Sequence, residues 1–365
     1  MEELVENLCS VTAAQVIMWC IGGVLIWLAI GKKMEPALLL PMGFGAILMN
    51  LPNSGAAAVL GRLYAIGIAD NELFPLLLFL GIGAMIDFTP LLREPWLMLF
   101  GAAAQFGIFF TLGLASLLGF ELRDAASIAI IGAADGPTSI FVAQTLNSRY
   151  TAAILVAAYS YMALVPIVQP PIIRLCTTRA ERRIRMADKG KPVSKGIRIL
   201  FPIVVTVIVG LAAPEAVALI GFLMFGNLMR ECGVLNTLSD TAQNVLANLV
   251  TLLLGITVAA RMSAEEFLRA QTLLILGLGL VAFVMDTVGG IFLAKLLNLF
   301  RKEKLNPMIG AAGISAFPMS ARVVHKLGRE EDSQNFLLMP AVGVNVSGQI
   351  ASVIAGGLIL ALAGG

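Results

Sequence analysis

The chain has 365 residues, of which 58% are hydrophobic and only 13% charged, and its mean hydropathy is +0.90. Soluble domains carry about 25% charged residues, so this composition excludes an ordinary soluble enzyme. The net charge of +2 gives no reason to expect a nucleic-acid partner. Because the apolar runs reach the ~20 residues that a helix needs to cross a bilayer, we predict a polytopic helical membrane protein.

The N-terminal stretch MEELVENLCS is acidic, whereas a cleavable signal peptide begins with a basic region. We therefore expect the first apolar run, about residues 11–30, to remain as a span, and residues 1–34 to form an N-terminal membrane helix. The four cysteines have neither metal-ligand nor disulfide spacing. We expect them to be small apolar-facing residues: Cys9, Cys20, Cys176 and Cys232.

Twelve apolar runs follow one another along the chain, six on each side of a basic loop. They fall near residues 11–31, 35–51, 72–86, 95–120, 125–147, 151–173, 199–212, 214–230, 241–260, 268–299, 306–325 and 335–364. The loop, residues 174–198, holds nine of the 25 Lys and Arg residues and two acidic ones. Such an excess marks a cytoplasmic loop. It separates a first half, 35–173, from a second, 199–365.

The two halves share a weak repeat at an offset of 178 residues. Three matches have this offset: IGAA at 131–134 and 309–312, GF at 43–44 and 221–222, and Pro36 with Pro214. LGI at 80–82 and 254–256 matches at an offset of 174. We expect a carrier-like fold with two structural repeats. Ion-coupled carriers commonly invert the second copy, which we expect here, although six true spans per copy would make the copies parallel.

Each half carries its least helical sequence at the matched place. The first stretch is GAADGPTSIF, with a break expected at 132–138, and the second is NPMIGAAGISAFPMSARVV, with a break expected at 306–322. Pro137 and Pro318 each remove a backbone donor. Unwound or re-entrant backbone at the membrane midplane is tolerated only inside protein or beside a polar cavity, where its carbonyls can bind Na⁺.

Asp135 lies in the first of these breaks. A carboxylate at the bilayer centre costs roughly 2.5–3.5 kcal/mol on insertion scales, so we expect Asp135 to bind a cation or a proton. Carboxylate and carbonyl oxygens suit a hard cation. The alternative is that Asp135 caps a half-helix, or that residues 132–138 are a loop between two short helices.

Other polar side chains interrupt the apolar runs near the breaks. Tyr161, in AAYSYMALVP, is either part of the site or a packing residue whose hydroxyl is hydrogen-bonded to the backbone. Arg322 is either a countercharge, for Asp135 or for an anionic substrate, or an arginine whose side chain extends to the membrane interface near His325. Further candidates around the second break and in the last span are Asn306, Ser315, Asn345, Ser347, Gln349 and Ser352.

Three more titratable residues lie near apolar runs. Asp286, in FVMDTVGG, is either a second titrating site or a residue at a helix end. Asp87, in GAMIDFTPLL, is expected at a helix end. His325 is the only histidine, and without a second His or a Cys partner it is expected at the surface rather than on a metal.

Four long motifs in this order resemble the β subunit of the sodium-pumping biotin-dependent decarboxylases, which are the oxaloacetate, methylmalonyl-CoA, glutaconyl-CoA and malonate enzymes. The motifs are GAADGPTSIF, AAYSYMALVPIVQPPIIR, NPMIGAAGISAFPMSARVV and NVSGQIAS. The resemblance runs from about residue 34 to the end. Forms that act on oxaloacetate tend to have a longer N-terminal portion, so the length of this chain favours the acyl-CoA enzymes.

The resemblance implies a subunit of a bacterial cell-membrane complex that decarboxylates carboxybiotin and couples this to Na⁺ export, with one proton consumed. The implied partners are a carboxyltransferase α subunit, a biotin carrier protein and small γ/δ-like membrane subunits, in an oligomeric assembly. The implied catalytic residues are Asp135, Tyr161, Ser315 and Arg322, with Arg322 also binding carboxybiotin. The implied Na⁺ ligands are Asp135, Asn306, Gly310, Ser315 and Asn345.

Two other functions fit part of the pattern. A Na⁺-coupled secondary transporter, either a carboxylate symporter or a Na⁺/H⁺ antiporter, explains the breaks, the repeat and Asp135 equally well. A non-transporting membrane anchor for a soluble enzyme explains them poorly, because an anchor has no reason to bear the insertion cost of polar core residues.

Overall fold

The computed structural model describes residues 9–33, 36–69, 72–186 and 192–364. Within these ranges the protein is helical and has no β-strand, which confirms the predicted all-α class. Residues 1–8 and 34 of the predicted N-terminal helix, 35 and 70–71 of the first repeat, 187–191 of the basic loop and 365 of the second repeat lie outside the described residues.

Helices are numbered in chain order. The first ten are α1 Ala13–Gly31, α2 Pro36–Met49, α3 Ala56–Tyr64, α4 Leu73–Met85, α5 Thr89–Arg93, α6 Met98–Ala103, α7 Phe106–Leu117, α8 Leu122–Ala129, α9 Gly136–Thr145 and α10 Thr151–Cys176. The others are α11 Arg179–Arg182, α12 Lys195–Ala212, α13 Val217–Cys232, α14 Asn236–Asp240, α15 Ala247–Val258, α16 Ala264–Phe267, α17 Ala270–Phe300, α18 Met319–Glu331 and α19 Leu338–Ala363. Thus α10 and α12 extend into both ends of the predicted loop 174–198.

Among the described residues, seven helical segments are long and apolar enough to cross a membrane, or up to eight if α3 and α4 form one bent span. The protein is therefore a multi-pass membrane protein. Helices α1 and α12 are peripheral, since only 17% and 11% of their most apolar windows are buried. Helix α19 lies at the centre, with 72% of its window buried.

Glycines let helices of the two halves cross closely. An ideal Cβ on Gly83 of α4 would overlap the carbonyl of Leu223 on α13, and one on Gly226 would overlap the carbonyl of Leu80 on α4. In the same way, Gly255 of α15 lies against α2, where a Cβ would come within 2.8 Å of the Leu38 oxygen. Small residues allow such backbone contacts in membranes, where no hydrophobic effect draws helices together.

Helix α10 separates two membrane faces. It has 26 residues and is therefore about 39 Å long. We call the side of residues 174–186 the basic face, and the side of residues 144–151 the opposite face. Helix α19 begins at the basic face, just after Glu331, which pairs with Arg182. It ends at the opposite face, where Gly364 and Leu146 line one cavity. Hence α10 and α19 run in opposite directions.

Helices α2 and α13 are also opposed. Helix α2 ends at the opposite face. The Asn50 amide, just after this helix, donates to the Met262 carbonyl at 2.7 Å. The preceding residue, Arg261, lines a cavity together with residues 147–151. Helix α13 ends at the basic face, where Glu231 pairs with Arg198 at 3.2 Å.

Candidate functional site

Asp135 lies at a break between α8 and α9. Helix α8 tightens into a 3₁₀ helix over Ile130–Ala133, and Ala134 then takes a left-handed backbone conformation with φ 51°. Asp135 is extended, with φ −127° and ψ 97°. Pro137 follows in the first turn of α9, where its missing N–H leaves no helical bond unmade. The carboxylate is therefore presented from a non-helical segment.

The Asp135 carboxylate is buried, with 5% of the residue exposed. Its Oδ2 accepts hydrogen bonds from Thr138 Oγ1 at 2.6 Å and Ser352 Oγ at 3.2 Å. Thr138 lies one turn into α9, whereas Ser352 comes from α19. Both donors are hydroxyls, which can rotate and offer a lone pair instead of a proton. The group can thus bind either a proton or a cation without rebuilding its surroundings.

The second break contacts the first through the backbone. It consists of the 3₁₀ helix Pro307–Gly313 and the non-helical residues 314–318 before α18. The Ser315 N–H donates to the Ala133 carbonyl at 3.0 Å. The Ser315 hydroxyl donates to the Gly348 carbonyl of α19 at 3.1 Å. A movement of either break therefore either moves the other or breaks this hydrogen bond.

One face of α19 contacts both breaks. Asn345, Gln349 and Ser352 are spaced by four and three residues, so they share a helix face. The Asn345 amide donates to the carbonyls of Ala312 and Ile314 at 3.1 and 2.7 Å, and the Gln349 amide donates to the Ser315 carbonyl. Ser352 reaches Asp135.

Two amide oxygens on this face are buried without a hydrogen-bond donor in the part of the chain that the structure describes: Asn345 Oδ1 and Gln349 Oε1. A buried acceptor without a donor is costly unless it meets a water or an ion. The Asp135 carboxylate, the hydroxyls and these amide oxygens are all of the kind that a hard cation prefers, and they are spread along about two turns of α19. The chemistry of these residues therefore fits Na⁺ as cargo.

Asn306 is held elsewhere. Its amide donates to the carbonyls of Arg182 and Ile184 at 2.9 and 2.8 Å, and its Oδ1 accepts from the Met308 N–H at 3.1 Å. Its hydrogen bonds therefore tie the second break to the segment after α11, and it does not share the hydrogen-bond set of Asp135.

Gly310 is a contact between backbones. An ideal Cβ on Gly310 would overlap the Gly290 carbonyl of α17, and a Cβ on Gly290 would overlap the Gly310 carbonyl. This close approach brings the second break against α17. The structure thus gives Gly310 a packing role.

Tyr161 points away from Asp135. Its hydroxyl donates to the Leu276 carbonyl of α17, the backbone bond weighed above for a packing tyrosine. Tyr159 instead lies beside Asp135: it is fully buried, and a Cβ on Gly136 would overlap its ring. Its hydroxyl has no hydrogen-bond partner among the described residues. The glycine directly after Asp135 was the available signal that a bulky neighbour lies close.

Gln169 and Thr138 were also missed. Gln169 of α10 is fully buried, and its amide donates to the Ala311 carbonyl of the second break at 2.6 Å. Its Oε1, like Asn345 Oδ1 and Gln349 Oε1, is buried without a donor among the described residues. The signal for Gln169 was a glutamine inside the apolar run PIVQPPII. Thr138 follows from the DGPT sequence itself, since a threonine three residues after the Asp can reach it.

Arg322 lies on the exposed side of α18, immediately after the second break. The hydrogen-bond partners of the Asp135 side chain are Thr138 and Ser352, so the structure does not place Arg322 as its countercharge. An exposed guanidinium is accessible to an anionic group from outside the protein.

Two further sequence candidates have simple surroundings. Asp87 Oδ1 accepts from the Thr89 N–H at 2.9 Å, at the start of α5. His325 is partly exposed beside Phe336. Partial burial, and then the nearby Arg329, lower the pKa of His325.

The fold and the site define a multi-pass helical membrane protein with two hydrogen-bonded helix breaks around a buried carboxylate. Residues 14–363 match the family of the Na⁺-transporting oxaloacetate decarboxylase beta subunit. The chain therefore belongs to this family, and the resemblance seen in the motifs is confirmed.

Curated relatives cover almost the whole chain. The methylmalonyl-CoA decarboxylase subunit beta of Veillonella parvula is 48% identical over 351 residues, covering 96% of this chain and 94% of the relative. The glutaconyl-CoA decarboxylase subunit beta of Acidaminococcus fermentans is 47% identical over 355 residues, covering 97% and 94%. The oxaloacetate decarboxylase beta chain of Klebsiella pneumoniae is 44% identical over 418 residues, covering 97% and 96%.

Proposed function

We propose that this chain is the membrane-embedded β subunit of a Na⁺-pumping decarboxylase. It removes CO₂ from carboxybiotin, which a biotin carrier subunit delivers, and couples this step to Na⁺ export and proton uptake. The observation that carries the proposal is the buried Asp135 carboxylate between two breaks that are hydrogen-bonded to each other through Ser315 and Ala133. The family match supplies the chemistry.

Na⁺ binds at Asp135 in this proposal, with Asn345 and the Ser315 region supplying further oxygens. The unpartnered Oδ1 of Asn345 supports its role as a ligand. Asn306 and Gly310 act by shaping the second break, since their contacts are with the loop and with α17. Na⁺ and a proton exclude each other at Asp135, because a carboxylate that is protonated has lost the charge that holds the cation.

Decarboxylation breaks the N–C bond of carboxybiotin, releases CO₂ and leaves a ureido nitrogen that must take up a proton. Biotin supplies this chemistry, and the protein supplies position, ion coupling and the proton. We assign Arg322 to the carboxylate of carboxybiotin, because its side chain is exposed next to the second break. A proton that reaches Asp135 from outside the cell displaces Na⁺ and is then transferred to the ureido nitrogen of biotin. Tyr161 or Tyr159, which lies nearer to Asp135, assists this transfer.

The basic face is assigned to the cytoplasm of a bacterial cell, as the excess of Lys and Arg indicates. The carboxyltransferase α subunit and the biotin carrier protein would dock there, and small γ/δ-like membrane subunits and further copies would complete the oligomer. The family description and the decarboxylase names of the relatives support a multisubunit complex.

The acyl-CoA enzymes are the favoured class. The alignments with the Veillonella and Acidaminococcus subunits, 351 and 355 residues long, fit within the 365 residues of this chain. The alignment with the Klebsiella chain extends over 418 positions and therefore requires insertions relative to this chain.

The proposal is tested with the complete complex in proteoliposomes, by following ²²Na⁺ uptake and CO₂ release together. We expect Na⁺ uptake only when carboxybiotin is supplied, and decarboxylation only when Na⁺ is present. Na⁺ uptake that runs without carboxybiotin, driven by a pH or carboxylate gradient, would identify a secondary transporter instead. Decarboxylation that is indifferent to Na⁺ would leave the chain as an uncoupled enzyme.

A further inference from the structure

A second carboxylate is buried inside this protein and has no role in the function above. Asp286 lies midway along α17, a helix of 31 residues, and its side chain is fully buried. It faces two other elements: the start of α7 and the 3₁₀ helix Ile130–Ala133, which leads into Asp135. Asp286 is therefore placed next to the first break.

One oxygen of Asp286 is fully accounted for. Oδ1 accepts hydrogen bonds from the N–H of Gly107 at 2.5 Å and of Ile108 at 3.2 Å. These amides belong to the first turn of α7, where N–H groups lack the i−4 acceptors of the helix interior, although the Ile108 N–H also donates to the Gln105 carbonyl at 3.2 Å. Asp286 thus ties α17 to α7, and the positive end of the α7 dipole favours a negative charge at this position.

The other oxygen is not accounted for. Asp286 Oδ2 is buried without a hydrogen-bond partner among the described residues. It is directed at Gly132, where an ideal Cβ would come within 2.8 Å of Oδ2 and 2.8 Å of the Ala282 Cβ. A bare carboxylate oxygen in a protein interior is expensive, so a proton or a small cation at this position would be strongly stabilised.

No other charged side chain explains this oxygen. The elements that contact α17 near Asp286, namely α6, α7 and the 3₁₀ helices Ile130–Ala133 and Pro307–Gly313, carry no titratable side chain. Helix α8 also contacts α17, but its Asp124 accepts hydrogen bonds from Ser148 Oγ and the Arg149 N–H, and its Arg123 is exposed. From α10, Tyr161 faces α17 but donates to the Leu276 carbonyl. Along the chain from Gly132, the first titratable residue is Asp135. A partner for Oδ2 must therefore come from outside the chain.

We propose that Asp286 Oδ2 is a second cation-binding position, which takes one small monovalent cation, a proton or Na⁺. The inference rests on the proposed function and adds a site to it. Two buried carboxylates near one break cannot both remain uncompensated in a medium of low dielectric constant. Release of an ion at Asp135 therefore favours loading at Asp286, and the lack of a side chain at Gly132 leaves Oδ2 free of a close carbon contact on that side.

The Asp286→Asn variant separates this proposal from a purely structural role. An asparagine Oδ1 still accepts the Gly107 and Ile108 amides, so the cap is kept while the charge is lost. We would measure equilibrium ²²Na⁺ binding to the purified complex, without carboxybiotin, at several pH values. A role as a cap alone predicts binding and pH dependence like those of the wild type, which would overturn the proposal.

The two cation sources give different results in the same experiment. If Na⁺ binds at Asp286, the Asp286→Asn variant binds less Na⁺ at saturation than the wild type. The Asp135→Asn variant still binds the amount that is missing there. If a proton binds there, the amount of Na⁺ bound at saturation is unchanged, but the pH dependence of the Na⁺ affinity is reduced to the part that proton competition at Asp135 alone produces. Both outcomes support the proposal. They are independent of the carboxybiotin assay, so a failed proposed function would show itself separately, as missing carboxybiotin-dependent uptake.

Glycine variants keep the test decisive if Asp286→Asn does not fold. Gly132→Ala leaves both carboxylates in place but fills the space in front of Oδ2, and we expect at least a tenfold loss of Na⁺ affinity or a flattened pH dependence. Gly113→Ala on α7 is the matched control, because a Cβ there meets nothing within 4 Å. Wild-type binding by Gly132→Ala would contradict the proposal.

Discussion

At the residue scale, the surroundings of Asp135 depend on a single missing methyl group. Gly136 allows the ring of Tyr159 to lie against the start of α9, directly after the carboxylate. Both residues are buried, so neither can move aside into solvent. The position of Asp135 is therefore set by contact between α9 and α10 as well as by its hydrogen bonds.

Replacing Gly136 by Ala tests this contact. The added Cβ overlaps the Tyr159 ring, and overpacking of this kind costs about 1–3 kcal/mol. We expect a lower thermal unfolding midpoint and a higher Na⁺ concentration for half-maximal decarboxylation. Gly277→Ala is the control, because a Cβ there has open space. An unchanged Na⁺ dependence in Gly136→Ala would show that the ring does not position the carboxylate.

At the same scale, local sequence pointed to Asp135 but not to the contacts that join distant parts of the chain. A charge followed by Gly and Pro inside an apolar run is visible within four residues. The contact between Asp286 and Gly107 joins residues 179 positions apart, and the bond from Asn306 to Arg182 joins residues 124 apart. Such pairings depend on how whole helices pack, which no local pattern records.

At the element scale, close helix crossings hold the two halves together. Gly226→Ala places a Cβ on the Leu80 carbonyl of α4, and since this contact is backbone, α13 itself must shift. We expect a loss of roughly 1–3 kcal/mol, observed as a lower unfolding midpoint in detergent. Gly221 lies on the same helix and has open space around it. Gly221→Ala should leave the midpoint unchanged or raise it slightly, because Ala favours helix.

Equal midpoints for Gly221→Ala and Gly226→Ala would contradict the crossing. The control is matched in helix, residue type and added volume, so a difference between the two variants reports the contact with α4 alone.

The segment after α10 is held at the basic face by ion pairs. Arg182 and Arg179 pair with Glu331 at the end of α18, at 2.7 and 3.2 Å. The hydrogen bond from Arg182, with Arg179 adding to it, holds the pKa of Glu331 below its usual range. Because the folded pKa is the lower one, the pairs stabilise the protein above the usual carboxyl range, and this contribution is lost as the pH falls through the folded value.

Hydrogen exchange of residues 177–186 should follow this titration. We expect protection at neutral pH that is lost in acid, after correction for intrinsic exchange rates. In Arg182→Gln, the free energy of local opening should already be lower at neutral pH, by about 1 kcal/mol. Arg185→Gln, which removes a more exposed pair with Asp332, should have a smaller effect. Protection that is indifferent to both pH and Arg182 would mean that the pairs with Glu331 do not hold the segment.

At the scale of the whole molecule, we propose that the two halves are inverted repeats that begin with α1 and α12. Each half runs through a peripheral helix, a helix with Gly-Phe, a π-helical turn at Ala65–Ala69 or Thr241–Leu246, and a central apolar helix. The opposed directions of α2 and α13, and of α10 and α19, support inversion. The sequence had placed residues 1–34 outside the first repeat, because a match for the first helix is not visible in its residues.

Labelling of single cysteines in a cysteine-free background tests this arrangement in membrane vesicles. We expect a cysteine at Asn147 to react only with reagent on the outside of the cell, and one at Ser194 only with reagent in the cytoplasm. Reaction of both positions from one side would contradict the two faces and the assignment of the basic loop.

The sequence was sufficient for the class and the family, because composition and long motifs are local properties. It was insufficient for Tyr159 and for the position of Arg322. Tyr159 and Tyr161 occur in one motif, and only the packing of α10 decides which of them lies beside Asp135.

The central claim is that Asp135 couples decarboxylation to Na⁺ movement, and one measurement tests it most directly. Decarboxylation of free carboxybiotin and ²²Na⁺ uptake would be followed together in proteoliposomes for the wild-type complex and for Asp135→Asn. The account predicts that the variant loses both activities by at least about 100-fold, because its side chain carries neither the proton nor the charge. A variant that still pumps Na⁺ at the wild-type rate would contradict the account, and the ion site would then have to be sought at Asp286 or Asn345.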